Sequence, residues 1–198
     1  MSEKIMSILI GLILGDGYLT PFVGRSHRSR IEIKGDNKNL SYLRWLHSQL
    51  KPVGVSSLKP KKNYHQHRFY TKTIEEIGEL RKLFYPNGRK IVPRNIKKLL
   101  KSPLSLAIWY QDDGNLDCRS KYHYNASFAT YCFSFSDCKL LAEALRKNFN
   151  LDARVCKCQM RGKIRYRLYI TSLSMSYFIG LVKPYMNSCF KYKIRKFN

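Results

Sequence analysis

Leu9-Ile10-Gly11-Leu12-Ile13-Leu14-Gly15-Asp16-Gly17 and Leu106-Ala107-Ile108-Trp109-Tyr110-Gln111-Asp112-Asp113-Gly114 follow one plan: an apolar run closed by an Asp-Gly pair. Asp16 and Asp113 stand 97 residues apart in a chain of 198, so the plan recurs at close to half the length. A second pair of stretches keeps the offset to within one residue. Leu83-Phe84-Tyr85-Pro86 and Leu181-Val182-Lys183-Pro184 lie 98 residues apart, and each ends an apolar-periodic helical stretch at a proline that cannot continue it. Self-similarity at a fixed spacing means that one supersecondary unit is used twice.

Between these anchors the hydrophobic period changes from helical to two. In His27 to Lys34, Ile31 and Ile33 share one face while Arg28, Arg30, Glu32 and Lys34 share the other, as in a half-buried strand. Lys163 to Ile170 repeats this, with Ile164, Tyr166, Leu168 and Ile170 set against Lys163, Arg165, Arg167 and Tyr169. Weaker strands are expected over Val55–Lys61, Gln66–Lys72, Tyr122–Thr130 and Arg154–Arg161, and helices over Asn39–Leu50, Thr73–Phe84, Ser136–Asn148 and Ser172–Val182. Each half then reads helix, two strands, helix, two strands, helix. The spacing predicts an α+β fold of two αββαββα repeats, residues 1–101 and 102–198. The joining segment, Lys90 to Ser102, is basic, and Ser102-Pro103 supplies an N-cap and a first-turn proline for the second motif helix.

A helix that is apolar on all sides is buried on all sides, so the two motif helices are expected to pack on each other at the centre. Gly11 and Gly15, four apart, permit close backbone approach; Ala107 is the only small residue in the apolar part of the second copy, so the contact is not symmetric in detail. Gly17 and Gly114 are expected in left-handed cap positions. This arrangement sets Asp16 beside Asp113. Two close carboxylates at helix C-termini, where the dipole already disfavours negative charge, call for a cation between them, and a hard divalent ion suits oxygen ligands.

The chain carries 37 Lys and Arg against 13 Asp and Glu, a formal charge of +24. An excess of this size repels itself unless a polyanion neutralises it, which points first to nucleic acid and second to an anionic membrane surface. With 44% apolar and 13% aromatic residues, the chain can bury a core and is not a basic disordered tail. Lys4 followed by Ile5 to Leu14 has the outline of a signal peptide, but the run ends in Gly15-Asp16-Gly17 without a small-x-small cleavage pattern. It is also well short of the ~20 residues that span a bilayer. An intracellular protein with no membrane association is expected. All six cysteines (Cys118, Cys132, Cys138, Cys156, Cys158, Cys189) lie in the second half without C-x-x-C spacing, and they are read as reduced thiols, neither a zinc site nor a disulfide framework.

On Leu9 to Gly17 and Leu106 to Gly114, the chain resembles the LAGLIDADG homing endonucleases of the single-chain, two-motif branch, and the similarity runs over nearly its whole length. The resemblance implies a pseudo-twofold fold whose two antiparallel sheets form a DNA-binding saddle. It implies a metal-dependent, site-specific double-strand DNA endonuclease, acting as a monomer on a long asymmetric target. The penultimate motif residues, Asp16 and Asp113, would be the catalytic acids and metal ligands, completed by the carbonyls of Gly15 and Asp112. A basic residue after the last helix of each repeat would be Lys90 and Lys193. Mg²⁺ is the implied cofactor, with Mn²⁺ able to substitute and Ca²⁺ supporting binding without cleavage. The second copy departs from the family pattern in having Ile108 for a glycine, Gln111 where another acid is usual, and two adjacent acids.

Recognition is expected on the strand faces, because a two-stranded ribbon fits the major groove. The candidates are Arg28, Arg30, Glu32, Lys34, Lys59, Lys61, Gln66, Arg68, Tyr70 and Lys72 in the first half, and Lys157, Gln159, Arg161, Lys163, Arg165 and Arg167 in the second. Arg119 to Tyr124 mixes charge and aromatics in an expected loop that could touch the DNA backbone. Two other classes share these features: an RNA maturase assisting intron splicing, and a DNA-binding regulator that does not cleave. Retention of both acids speaks against the second.

Overall fold

The computed structural model describes residues 1–22, 24–61, 64–120 and 123–195. Tyr122, at the start of an expected strand, and Lys121 of the expected loop lie outside them. The elements run α1 (Glu3–Leu14), β1 (Tyr18–Leu19), β2 (Ile31–Asp36), α2 (Leu40–Leu50), β3 (Lys59–Lys61), β4 (Gln66–Tyr70), α3 (Glu75–Phe84) and α4 (Ile96–Leu99). They continue with α5 (Pro103–Asp113), β5 (Gly114–Ser120), β6 (His123–Phe128), α6 (Phe135–Phe149), β7 (Ala153–Met160), β8 (Lys163–Ile170) and α7 (Ser172–Val182). Two antiparallel four-stranded sheets result, ordered β1-β2-β4-β3 and β5-β6-β8-β7. The identical connectivity is the internal repeat made visible.

The motif helices start as their sequences dictate. Ser2 accepts from the Ile5 N–H ahead of Glu3, and Ser102 accepts from the Leu104 N–H with Pro103 in the first turn. Along α1, Ile8 to Ile10 and Leu12 to Leu14 are all at most 1% exposed, and Leu106 to Tyr110 of α5 are fully buried. The two helices pack on each other as expected. Gly11 makes this possible: a Cβ there would stand 2.6 Å from the Ser105 carbonyl and 2.8 Å from Ile108 Cβ. Beside it, Ser105 Oγ donates to the Ser7 carbonyl across the seam, 2.7 Å. One contiguous apolar core includes residues of both repeats, with α1 and α5 at its middle.

Two expectations about the backbone are corrected. Neither Gly17 nor Gly114 has positive φ; Gly114 is extended at φ −77°, ψ 146°. The requirement is for space. A Cβ on Gly17 would meet Ile31 Cδ1 and the Leu12 carbonyl at 2.8 Å, and one on Gly114 would enter the Tyr110 ring and carbonyl. The two motifs also end differently: α1 stops at Leu14, before its acid, whereas α5 runs through Asp113.

Several strands are shorter than the alternation suggests. Val55 is an isolated bridge to Thr71 ahead of β3, and Arg161 with Gly162, both at positive φ, forms the tight turn between β7 and β8. The joining segment contains α4, and a 3₁₀ helix, Ser188–Ile194, follows α7. All six cysteines are free thiols. Among the described residues, no helix is long and apolar enough to cross a membrane.

Candidate active site and nucleic-acid face

The acids meet at the lower ends of α1 and α5. Asp16 is exposed immediately beyond α1, and its backbone N–H donates to Asp112 Oδ2 at 3.2 Å. The other oxygen of Asp112 accepts from Tyr42 Oη of α2 at 3.0 Å. Gly15 has no side chain because the Asp112 carboxyl fills that place; a Cβ would stand 2.5 Å from its oxygen. Asp112 is therefore a side-chain brace between the halves as well as the residue before Asp113. Burial and the nearby Asp16 charge push its carboxyl well above the usual range. Burial, then Asp16, push Asp113 up to about 7, against an opposing pull from Lys90 and Lys193.

Both candidate lysines converge on this point, but not symmetrically. Lys90 Nζ donates to the Gly15 carbonyl at 2.8 Å, and Lys193 Nζ donates to the Gln111 carbonyl at 2.6 Å and the Tyr110 carbonyl at 3.4 Å. One lysine thus holds the residue just before its acid and the other the residue two before, a consequence of the unequal helix ends. Burial lowers both ammonium pKa values, while the three aspartates act in the opposite direction. Gln111 is buried and structural. Its amide nitrogen donates to the Ala107 and Tyr185 carbonyls and its oxygen accepts from the Asn187 N–H, fastening the segment that leads to Lys193. Tyr110 Oη ties down the same segment through the Lys193 carbonyl, 2.9 Å.

The donor chemistry fits a hard cation. Among the described residues, neither Asp16 nor Asp113 forms an ion pair, because both lysines point at carbonyl oxygens. The Asp113 carboxyl, held up by burial and by the neighbouring Asp16 charge, is relieved by a positive charge. No group of three or more His, Cys, Asp or Glu side chains among the described residues forms a metal site alone. A cation here needs backbone carbonyls and substrate oxygens beside the two acids.

Cross-strand register sets the faces of the sheets. Glu32 pairs with Tyr18 and Tyr70, Lys34 with Arg68, Asp36 with Gln66, and Arg68 and Gln66 in turn with Lys59 and Lys61. All of these lie opposite the buried Ile31, Ile33 and Phe69, so the expected first-half face assembles on one side. With Asp16, Tyr18, Arg30, Glu32, Lys34, Lys61, Arg68 and Tyr70 line one concavity of about 380 Å³. Arg28 and Lys72 are exposed just outside the strands.

The second sheet requires a correction. Lys157 pairs with Tyr166 and Gln159 with Ile164, on the side of Val155 and Leu168. They face away from Arg165 and Arg167, whose partners are Cys158 and Cys156. The alternation around Lys157 reads the wrong way because the cysteines and Met160 look like the inward set. The inward set is fixed instead at the strand's start, where Ala153 pairs with the buried Ile170. Arg161 lies in the tight turn and Lys163 on the Arg165 side. The saddle side also gains residues not nominated from sequence: Asn115 opposite Ser127, Asp117 opposite Asn125, and Arg154 and Ser127 both opposite Tyr169. Arg119, expected in a loop, stands on β5 with its guanidinium on Asp117 at 2.8 Å.

Residues 6–178 match the model of the LAGLIDADG DNA endonuclease family. The chain is 28% identical to the DNA endonuclease I-ChuI of Chlamydomonas applanata over 98% of this chain and 95% of that protein. It is also 28% identical to the cytochrome b mRNA maturase bI2 of Saccharomyces cerevisiae over 98% of its own length, but spans only 48% of that relative. The homing endonuclease I-WcaI, solved bound to its DNA recognition sequence, superposes over all of this chain and 88% of its own with a TM-score of 0.79 at 24% identity, a match of fold. A family match over most of the chain, on top of two Asp-Gly helix ends brought together at a central seam, establishes that the chain belongs to the LAGLIDADG DNA endonuclease family.

Proposed function

We propose that this chain is a site-specific double-strand DNA endonuclease that works as a monomer with Mg²⁺ or Mn²⁺. The observation that carries the reading is the meeting of Asp16, Asp112 and Asp113 with Lys90 and Lys193 at the base of the α1–α5 seam, between two basic sheet faces. Asp16 and Asp113 would hold divalent metal through their carboxylates, with the Gly15 and Asp112 carbonyls beside them. Metal bound there supplies Lewis-acid charge at the scissile phosphates.

The protein's own groups do the rest of the work. Phosphodiester hydrolysis needs an oriented water, charge stabilisation in the transition state and a stabilised 3′ leaving oxygen. Lys90 and Lys193 each have three ammonium hydrogens, and the carbonyls they hold leave donors that can orient water or stabilise developing charge. The Gly15 and Gln111 carbonyls fix both ammonium groups beforehand, so little reorganisation accompanies the reaction. The basic sheet faces hold the duplex over this point, and Asp112, by binding the Asp16 N–H, sets where that acid stands.

Incubating the protein with a plasmid library in Mg²⁺ and sequencing the cut ends should give double-strand breaks at one long, asymmetric sequence. Breaks scattered without sequence, or none in Mg²⁺ or Mn²⁺, would refute the reading. The maturase likeness supports a second one, in which the same chain assists RNA splicing. A splicing assay with group I intron transcripts would distinguish it, since an endonuclease alone leaves splicing rates unchanged.

A further inference from the structure

Among the described residues, three of the five ion pairs share one pattern, an arginine held by an acid two positions away on the same strand or at its start: Arg30 with Glu32, Arg119 with Asp117 and Arg154 with Asp152. Arg30 Nη2 and Nε both donate to Glu32 Oε1, at 2.6 and 3.2 Å. Arg119 makes the two-pronged version with Asp117, Nε to Oδ1 and Nη2 to Oδ2, both 2.8 Å. Alternation puts Arg30 on the face of Glu32, whereas Arg119 sits where the β5–β6 register shifts between Cys118 and Ser120 and is tied to the saddle side by its two bonds to Asp117. Arg30 has a second support, since its guanidinium carbon lies 4.3 Å from the centre of the Tyr70 ring, and Tyr70 pairs across the strands with Glu32. In both cases the acid takes the Nε edge and leaves Nη1 without a partner among the described residues.

We propose that Arg30 and Arg119 are specificity-determining residues that each read a guanine in the major groove, one in each half of the target, with Glu32 and Asp117 as their positioning residues. The inference rests on the endonuclease reading and goes beyond it by separating base-reading arginines from the surrounding positive charge. Guanine offers N7 and O6 as paired acceptors, which match two guanidinium N–H groups held in a plane. A carboxylate beside the arginine argues against a phosphate contact. It cancels the charge that would release counterions and would itself be repelled by the backbone. Lys34, Lys59 and Arg68, on the same sheet face, form no ion pair among the described residues and suit phosphate instead. The Arg30 group borders the concavity that also contains Asp16, which places its base near the cut rather than at the end of the target.

The test uses the full chain with Ca²⁺ and a randomised duplex library, followed by a panel of single-base changes in the selected site. Wild type should discriminate against the loss of one guanine in each half by roughly tenfold or more. Arg30→Gln should erase that preference in one half only, and Arg119→Gln in the other, with the remaining positions unchanged. Glu32→Gln, which keeps the arginine but frees it, should broaden the same position that Arg30→Gln erases. Lys34→Gln should lower affinity for every sequence alike. If Arg30→Gln and Arg119→Gln also weaken all sequences uniformly and leave the base profile intact, both are phosphate contacts and the proposal is overturned. A wild-type protein that selects no sequence overturns the endonuclease reading itself, and this inference with it.

Discussion

Asp112 and Asp113 are neighbours with unlike surroundings. Counting back from the closing glycine aligns Asp113 with Asp16, and among the described residues the Asp113 carboxyl forms no ion pair while that of Asp112 is engaged on both oxygens. Asp113→Asn should abolish Mg²⁺-dependent cleavage and leave binding in Ca²⁺ within a few-fold, because it removes charge at the reacting centre and few DNA contacts. Asp112→Asn should still cut, more slowly, since the Asp16 N–H and Tyr42 Oη donate to different oxygens of Asp112 and one of them would face an amide NH2 instead. A dead Asp112→Asn beside an active Asp113→Asn would reverse the assignment. Tyr42 belongs to the same group and was not legible in the sequence. It sits 70 residues from Asp112, and the pattern of α2 marks it only as one more inward residue. Tyr42→Phe removes one donor from a carboxyl already held up by burial and should lower unfolding stability by about 1–2 kcal/mol, read by urea denaturation.

At the scale of elements, apolar periodicity located the helices well and the strands less well. A helix that packs along its whole length carries its own signal, as α1 and α5 do. A strand carries one only where a helix covers it. β7 shows the limit: Ala153 and Val155 pair with the buried Ile170 and Leu168, but the strand then extends into a hairpin end where Gln159 and Ile164 are exposed on the reverse face. With solvent on both sides, polarity no longer reports which face is which, and Lys157 and Gln159 lie on the face away from Arg165 and Arg167 rather than beside them. Glycines divide in a similar way, by neighbours rather than by sequence. Gly11 is in the helix seam with Ser105 and Ile108 against it, whereas Gly180, inside α7, has nothing within 4 Å of an added Cβ. Gly11→Ala should destabilise by about 1–3 kcal/mol through overpacking. Gly180→Ala should stabilise by about 0.5–1 kcal/mol, because alanine loses less backbone entropy in a helix. Thermal or urea unfolding of both variants measures the contrast; equal effects would mean that the α1–α5 contact is looser than the 2.6 and 2.8 Å approaches at Gly11 require.

The whole molecule has a charge of +24 and two sheets with matching connectivity in one chain, and these two facts should appear together in its binding to DNA. Ion pairs inside the protein offset little of the charge. Of the 37 basic residues, Arg30, Lys82, Lys97, Arg119 and Arg154 are those paired among the described residues, and two of these are the arginines assigned to bases. Most of the positive charge therefore remains for phosphates, where each neutralised group releases condensed counterions. With about 10 phosphate contacts, log K should fall with log of monovalent salt at a slope of about −9, measured at constant Ca²⁺. Arg30→Gln should leave that slope nearly unchanged, whereas Lys34→Gln should reduce its magnitude by about 1. Because both acids and both sheets belong to one core, the slope should come from a single chain, and sedimentation of the complex should show one protein per duplex. A slope shallower than about −3 would mean that the sheet faces are not the interface. A steep slope carried by two chains per duplex would mean that the repeat within the chain does not form the complete site.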